Sequence, residues 1–529
     1  MPGTSPHSPE KLAGIRGFFS SYNAAADLLD RHMSAGRGNK IALIDDTGSY
    51  TYSAVSERAN RCANALRGLG LQSEQRIALC LADTVDFHTC FLGAIKAGMV
   101  PIPLNTFLTA PDYAYILSDA RAQAAIVSAA RLPVFVQAAR QAQWCSPLIV
   151  SGDDSGEFPS LARLLEFASP GADSPPTRPD DVCFWLYSSG STGKPKGAVH
   201  LQTSLMKTAE LLAQGVLGMT ENDVIFSASK LFFAYGLGNA LSFPFSVGAT
   251  TVLLGGQVTP EAVGRILRER RPTIFFAVPT LYSALLHSGN LPRAGEHALR
   301  LCVSSGEALP AEVGRAWRAW TGVDILDGIG STEMLHMFII NRPGAVHYGT
   351  TGRPVSGYTM RIVDDNGAEV PRGEIGELQV NGPTAAAYYW NNREKTRHTF
   401  VGEWTRTGDK FCQNAEGEFV YCGRVDDMLK VSGIWVSPAE VESVLAEHEA
   451  ILEVAVVGAC DEDGLTKPRA FVVPKPGCAP GEELAHQLQQ FVKDRLAPFK
   501  YPRWIEFVPS LPRTATGKLQ RYLLRERKS

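Results

Sequence analysis

The segment Tyr187-Ser188-Ser189-Gly190-Ser191-Thr192-Gly193-Lys194-Pro195-Lys196-Gly197 decides the reading of this chain. Glycines at 190, 193 and 197 let backbone N–H groups approach an anion with no Cβ in the way. Hydroxyls at 188, 189, 191 and 192 and the ammonium groups of Lys194 and Lys196 add mobile donors and positive charge. Such a segment suits a polyphosphate. It is not the phosphate loop that opens a helix: there Gly-Lys runs into Ser or Thr, whereas Gly193-Lys194 meets Pro195 and then Gly197-Ala198-Val199. The expected local structure is strand, loop, strand, although a flexible Ser/Gly turn fits the segment taken alone.

Outward from this loop the chain reads as α/β. Residues 182–186 form an apolar strand that delivers the loop, and 152–181, rich in Ser, Pro, Gly and Asp, read as a connection. Strands at 76–81, 100–104 and 124–127 alternate with helices at 85–97 and 113–118, the pattern of a parallel sheet with helical crossovers. Stretches 250–254, 260–271, 274–278 and 310–321 continue it. From 351 to 423 short alternating strands take over, with hairpin signals at Asp364-Asp365-Asn366-Gly367 and Asn414-Ala415-Glu416-Gly417, which predicts a small β-subdomain. Beyond it lie a helix opening at Ser437-Pro438 with Glu440 at its third position, strands at 453–457 and 470–473, and a helix near 482–496. These predict a separate small α+β domain ending in a solvated basic tail, 521–528.

Composition narrows the class. A chain of 529 residues with 45% hydrophobic content exceeds one ordinary domain and can bury a large core. A formal charge of -3 gives no basic field, so neither nucleic acid nor an anionic membrane is expected as partner. Ten cysteines occur without C-x-x-C, several of them in apolar runs (Cys80, Cys183, Cys302), which reads as reduced core thiols in a cytoplasmic protein with no zinc site. Residues 1–16 lack the apolar stretch of a signal peptide, and no run of about 20 apolar residues is present to span a bilayer.

Five further motifs follow in order: Ser305-Gly306-Glu307-Ala308-Leu309-Pro310, Asp327-Gly328-Ile329-Gly330-Ser331-Thr332-Glu333, Trp404-Thr405-Arg406-Thr407-Gly408-Asp409, Gly423-Arg424-Val425-Asp426-Asp427-Met428-Leu429-Lys430-Val431-Ser432-Gly433, and Pro512-Arg513-Thr514-Ala515-Thr516-Gly517-Lys518. The first two follow apolar runs and so read as polar loops at strand ends, where α/β ligand sites form. With all six in order, the chain resembles the superfamily of acyl- and aryl-CoA synthetases, peptide-synthetase adenylation domains and firefly luciferase. The resemblance runs from about residue 40 to the C-terminus. It implies a large N-terminal domain, 1–423, of parallel-type α/β subdomains plus a β-barrel-like subdomain, a hinge at 424–427, and a mobile α+β C-terminal domain, 428–529.

The chemistry the resemblance implies is acid activation. A carboxylate is a poor electrophile, and its attack on the α-phosphorus of ATP brings two anions together, so positioned positive charge matters more than a general base. Lys518 is the implied cation, bridging the substrate carboxylate and the α-phosphate. Glu333 is the implied Mg²⁺ ligand, with Ser331 and Thr332 on the α-phosphate. Ser188, Ser189, Gly190, Ser191, Thr192, Gly193 and Lys196 are implied for the triphosphate. Ser305, Gly306, Glu307 and Ala308 with Asp327, Gly328 and Ile329 are implied as the adenine wall, and Asp409 with Arg424 as the ribose contacts. Asp426 is the implied hinge, about which the small domain swings after adenylation. Lys430, Ser432, Gly433 and Trp435 would then face the site and admit the phosphopantetheine arm of coenzyme A.

The acid itself is read from Lys230-Leu231-Phe232-Phe233-Ala234-Tyr235-Gly236-Leu237-Gly238 and from Ile329-Gly330. Amino-acid-activating relatives place an Asp where Ala234 stands, which disfavours an α-amino acid. Acetate-type relatives block the pocket with a Trp before Thr-Glu, whereas Gly328-Ile329-Gly330-Ser331 leaves room. Phe233, Ala234, Tyr235 and Gly236 with Ile329, Gly330 and His336 suit a flat apolar ring. The segment, with Ser331-Thr332-Glu333-Met334-Leu335-His336, is similar to bacterial benzoate–CoA ligases. Loading of a separate aryl carrier protein, a medium-chain fatty acid substrate, and a non-catalytic ATP-binding role are the alternatives. A homodimer, and a lysine acyltransferase acting on Lys518, are further expected partners.

Overall fold

A computed structural model describes residues 21–144, 146–153, 156–188, 194–425, 427–431, 434–461, 465–497, 499–513 and 519–525. Its largest element is a nine-stranded sheet in the order Arg353–Pro354, Met337–Ile340, Ile325–Gly330, Leu301–Ser304, Ile274–Ala277, Val224–Ser227, Thr250–Val252, Ile41–Asp45, Gly48–Thr51. The six strands from Ile325–Gly330 to Ile41–Asp45 are parallel, and antiparallel strands close both edges. The pleat sorts neighbouring residues to opposite faces. Phe275, Cys302 and Ile325 meet Tyr282, Leu285 and Trp317 of the covering helices Pro279–His287 and Ala311–Thr321, while Phe276, Val303 and Leu326 meet Leu212, Phe243 and the β-subdomain residues Leu378 and Phe411. Trp317 lies edge-on to Tyr282 at 4.7 Å and is fully buried, so Trp317→Ala costs about 3–5 kcal/mol.

A four-stranded all-parallel sheet, Val100–Pro103, Arg76–Cys80, Ala124–Ser128, Leu148–Ser151, stands beside it. The expected helix at 113–118 is longer, Ala110–Ala120, because Thr109 and Asp112 form a reciprocal capping box that starts it a turn earlier. The expected connection at 152–181 contains a short helix, Leu161–Phe167, anchored by buried Leu161 and Leu165. The phosphate-loop strand Val182–Ser188 pairs antiparallel with Lys196–Leu201, with Ser188 opposite Lys196. That is the expected strand, loop, strand; residues 189–193 lie outside the described residues.

The β-subdomain is a five-stranded antiparallel sheet built on Trp404–Gln413, which pairs with Gly376–Asn381, Phe400–Val401 and Phe419–Arg424. The C-terminal part carries the sheet Ile451–Cys460, Thr466–Pro474, Trp504–Phe507 and the helices Pro438–Ala446 and Glu482–Lys493. The Ser437 hydroxyl accepts the Glu440 N–H at 3.1 Å, capping the first helix as read. The basic tail departs from expectation. Arg521 in helix Arg521–Arg525 is not solvated but is gripped by Glu442 at 2.7 and 2.8 Å, with Asp427 at 4.0 Å. Among the described residues no helix is long and apolar enough to cross a membrane.

Candidate active site

Parallel pairing brings two of the motifs side by side. Ser304 lies opposite Asp327 in adjacent strands, so Ser305-Gly306-Glu307-Ala308 and Asp327-Gly328-Ile329 leave one edge of the sheet together. The second motif is not a loop from its start, as the sequence suggested. Its residues Asp327 to Gly330 finish the strand Ile325–Gly330, which then turns antiparallel onto Met337–Ile340. Glycine is required here by contact: a Cβ on Gly330 would stand 2.5 Å from the His336 carbonyl oxygen, and one on Gly328 would stand 2.7 Å from the Met337 sulfur. At Gly306 the requirement is conformational, with φ of 95°. Asp327 is buried, one of its carboxyl oxygens has no partner among the described residues, and burial pushes its pKa up to about 8. A neutral carboxyl there both donates and accepts.

Beyond Gly330 the chain turns through Ser331, Thr332 and Glu333. The turn is held by the Ser331 hydroxyl accepting the Met334 N–H at 3.2 Å and by His200 Nε2 donating to the Thr332 carbonyl at 2.9 Å. The Glu333 carboxylate meets Lys196 at 3.0 Å and accepts the Tyr389 hydroxyl at 2.5 Å, and Lys196 in turn donates to the Tyr389 oxygen at 2.6 Å. Burial alone would raise this carboxyl; the Lys196 charge and the two hydrogen bonds outweigh it and hold the group below the usual carboxylate range. The phosphate-loop lysine and the acidic end of the second motif thus form one neutralised cluster. Tyr389 was not among the residues the sequence singled out. It lies 193 positions from Lys196, on the short strand Tyr388–Tyr389 beside Lys196–Leu201, and no local spacing signals that pairing.

Asp409 and Arg424 face each other across the strands Trp404–Gln413 and Phe419–Arg424 and pair at 3.0 Å. Gly408, with φ of 72°, makes the bend that presents Asp409.

The loop read from sequence as the acid-binding one, Lys230 to Gly238, starts with a charge that is consumed locally. Lys230 donates to the carbonyls of Leu254 at 2.6 Å and Gly256 at 2.9 Å, and buried Asp83 stands 3.7 Å away while accepting the Leu231 N–H. Burial raises the Asp83 carboxyl to about 6, against the pull of Lys230. The loop then enters the short helix Ala234–Leu237, the π-helical turn Gly238–Ser242 and the helix Phe243–Val247. A Cβ on Gly236 would stand 2.0 Å from the Lys230 oxygen, and one on Gly238 would stand 2.4 Å from the His336 ring. Tyr235 donates to the Val303 carbonyl at 3.0 Å.

His336 is buried behind this loop. Its Nε2 lies 3.1 Å from Asn239 Oδ1 and 3.3 Å from the Tyr235 carbonyl, its ring lies 4.5 Å from that of Phe243, and Nδ1 has no partner among the described residues. Burial lowers its pKa to about 3, so the ring is neutral and Nε2 carries the hydrogen. Phe233, Ala234, Tyr235, Ile329 and Gly330 are each half-buried, and Gly236 is buried.

Several expected residues lie outside the described ones: Ser189, Gly190, Ser191, Thr192 and Gly193 of the loop, Asp426, Ser432, Gly433 and Lys518. For Lys430 and Trp435 only the backbone is described, facing each other in the hairpin Leu429–Val431, Ile434–Val436.

A family model for the AMP-binding enzyme matches residues 30–390, and one for the AMP-binding enzyme C-terminal domain matches 440–518. The chain is 58% identical over 506 residues to a benzoate–CoA ligase of Thauera aromatica, covering 95% of this chain and 96% of the relative. It is 50% identical over 511 residues to a 4-hydroxybenzoate–CoA/benzoate–CoA ligase of Rhodopseudomonas palustris, covering 96% and 94%. Among solved structures, a benzoate CoA ligase from Burkholderia xenovorans LB400 superposes with a TM-score of 0.90 at 53% identity, covering 96% of this chain and 100% of the other. The apposed nucleotide motifs, the Lys196–Glu333 cluster and the full-length likeness lead to one conclusion: the chain belongs to the AMP-binding enzyme family.

Proposed function

We propose that this protein is an AMP-forming ligase that activates benzoate with ATP to an acyl-adenylate and transfers the acyl group to coenzyme A, giving benzoyl-CoA. The observation that carries the choice of acid is the substrate loop. From Phe233 to Gly236 it offers no charge, Lys230 is spent on two carbonyls and Asp83, and the His336 imidazole, 5.4 Å from the Tyr235 ring, is neutral. A loop without a counter-ion for an ammonium disfavours an amino acid, and its aromatic and small residues suit a plain aromatic ring. The full-length likeness to benzoate–CoA ligases supports the same reading.

In this reading Asp327 hydrogen-bonds adenine from the sheet edge and Asp409 accepts the ribose hydroxyls. Lys196 contacts the triphosphate. Glu333, ionised, half-buried and carrying hard oxygen donors, fits Mg²⁺, which typically takes one or two carboxylates and completes its shell with phosphates and water. The ion would shield the phosphate charge that a carboxylate nucleophile must approach. Lys518 supplies the remaining cation, and the segment 424–427 serves as the hinge that separates the two half-reactions.

The test is pyrophosphate release with CoA across small acids. Benzoate should exceed acetate, hexanoate and 2-aminobenzoate in kcat/KM by at least about tenfold, the scale of one mismatched contact in an apolar pocket. Release that does not depend on benzoate, or a preference for hexanoate, would overturn the reading.

A further inference from the structure

One side chain of the C-terminal part reaches into the N-terminal domain beside the adenine-wall motif. Arg513, five residues before Lys518 in the sequence, has one guanidinium nitrogen 3.0 Å from Glu453, on the strand Ile451–Cys460 of its own domain. The other terminal nitrogen stands 3.4 Å from the Thr280 hydroxyl and 3.7 Å from the Glu307 carboxylate. Thr280 opens the helix Pro279–His287 and donates its hydroxyl hydrogen to Glu307 at 2.8 Å. Glu307 is thereby oriented from behind by Thr280, while Arg513 approaches from the other domain. Arg513 and Glu307 are each about three-quarters covered.

We propose that Arg513 is a positioning residue for the acid-activating half of the reaction. It ties Glu453 on one side to the Thr280–Glu307 pair on the other and so holds the C-terminal domain in the orientation seen here. A chain of five residues spans at most about 17 Å. An Arg513 anchored at the adenine wall therefore limits how far the chain up to residue 518 can stray from that wall, whereas a domain turned away for thiol attack has to give this contact up. The contact belongs to one of the two working orientations only, so it biases how long the enzyme spends in each. The inference rests on the two-step reading given above, in which one domain serves both half-reactions.

The experiment separates those halves. Benzoate-dependent exchange of pyrophosphate into ATP reads the first, and single-turnover consumption of CoA with presynthesised benzoyl-adenylate reads the second. Arg513→Ala is expected to slow exchange about 3- to 10-fold and leave the second half equal or faster. Arg513→Lys, which keeps the charge but not the fork, should recover part of the loss. Thr280→Ala, which removes the receiving hydroxyl and leaves the guanidinium itself in place, should show the same one-sided pattern at smaller amplitude. Thermal melting of each variant establishes that it is folded. Equal losses in both halves, loss confined to the second, or no change in either overturns the proposal. A wild-type enzyme that exchanges pyrophosphate with another acid but not with benzoate would remove the choice of acid alone, and the Arg513 comparison would then be run with that acid.

Discussion

Acid should destabilise the N-terminal domain at a pH where ordinary carboxylates are still charged. Burial lowers all five buried histidines among the described residues, and three of them furthest: His88, whose Nε2 donates to the Ala240 carbonyl at 3.0 Å, His200 and His336. Burial lowers them to about 4, 4 and 3. The unfolded chain takes up a proton on each near pH 6.5, whereas the folded chain does so only two to four pH units lower. Their contribution to stability is therefore complete above about pH 6.5 and shrinks as the pH falls. Between pH 6.5 and 5 each costs about 1–2 kcal/mol, or about 5 kcal/mol for the three.

Two carboxyls work the other way. Asp327 and Asp83, raised by burial to about 8 and about 6, are protonated in the folded chain before the unfolded one. They return about 2 and about 1 kcal/mol over the same window. The net loss is about 2 kcal/mol, which for a domain of some 400 residues lowers the melting temperature by about 2–3 °C. Scanning calorimetry at fixed ionic strength from pH 7 to 5 measures it. His88→Gln, which keeps the donor to Ala240 without a titrating ring, should flatten the pH dependence by about 1–2 kcal/mol. A melting temperature that holds or rises between pH 6.5 and 5, or a His88→Gln profile parallel to the wild type, would refute the linkage argument.

Other perturbations act on the site. Tyr389→Phe removes the hydroxyl that bridges Lys196 and Glu333; loss of charge-assisted hydrogen bonds of about 1.5–3 kcal/mol should change kcat/KM for ATP by about 10- to 100-fold with KM for benzoate nearly unmoved, as steady-state kinetics will show. Gly236→Ala places a methyl 2.0 Å from the Lys230 oxygen, so the loop must shift and benzoate activation should fall at least about tenfold; an unaltered KM for benzoate would contradict the loop's assignment. Ala234→Asp puts a carboxylate in a half-buried apolar wall facing an anionic substrate and should weaken benzoate by at least about 1.4 kcal/mol, a tenfold rise in KM. Asp83→Asn leaves Lys230 with carbonyl partners alone and should lower the melting temperature while keeping adenylate formation with benzoate measurable by pyrophosphate release.

Where the sequence was legible, a local pattern coincided with a physical necessity. Apolar runs at 76–80, 124–128 and 274–277 became buried parallel strands because nothing else satisfies backbone that apolar. The Ser437 cap was readable because cap and recipient lie three residues apart. The hairpin turn Asn414 to Gly417 was visible in the sequence, and the strands it joins set Asp409 opposite Arg424. What stayed hidden depends on distant partners. Tyr389 matters through a lysine nearly two hundred positions away, and Arg521 looked like a solvated tail until Glu442 was placed against it. Asp327 to Gly330 looked like a loop because glycines weaken strand patterns, and they are tolerated in the strand because His336 and Met337 approach too closely for any side chain. The neutral state of His336 is likewise a property of burial, which no single-residue reading supplies.

The π-helical turn Gly238–Ser242 holds one residue more than a regular α-helix needs over the same rise, and Asn239, the partner of His336, is part of it. A widened turn of this kind absorbs an inserted residue locally, so excising one residue there would restore α pitch and leave the later helix facing as it does. Gain or loss of a single codon is thus confined to the turn that carries Asn239, while Phe243 and the strand order underneath stay as they are.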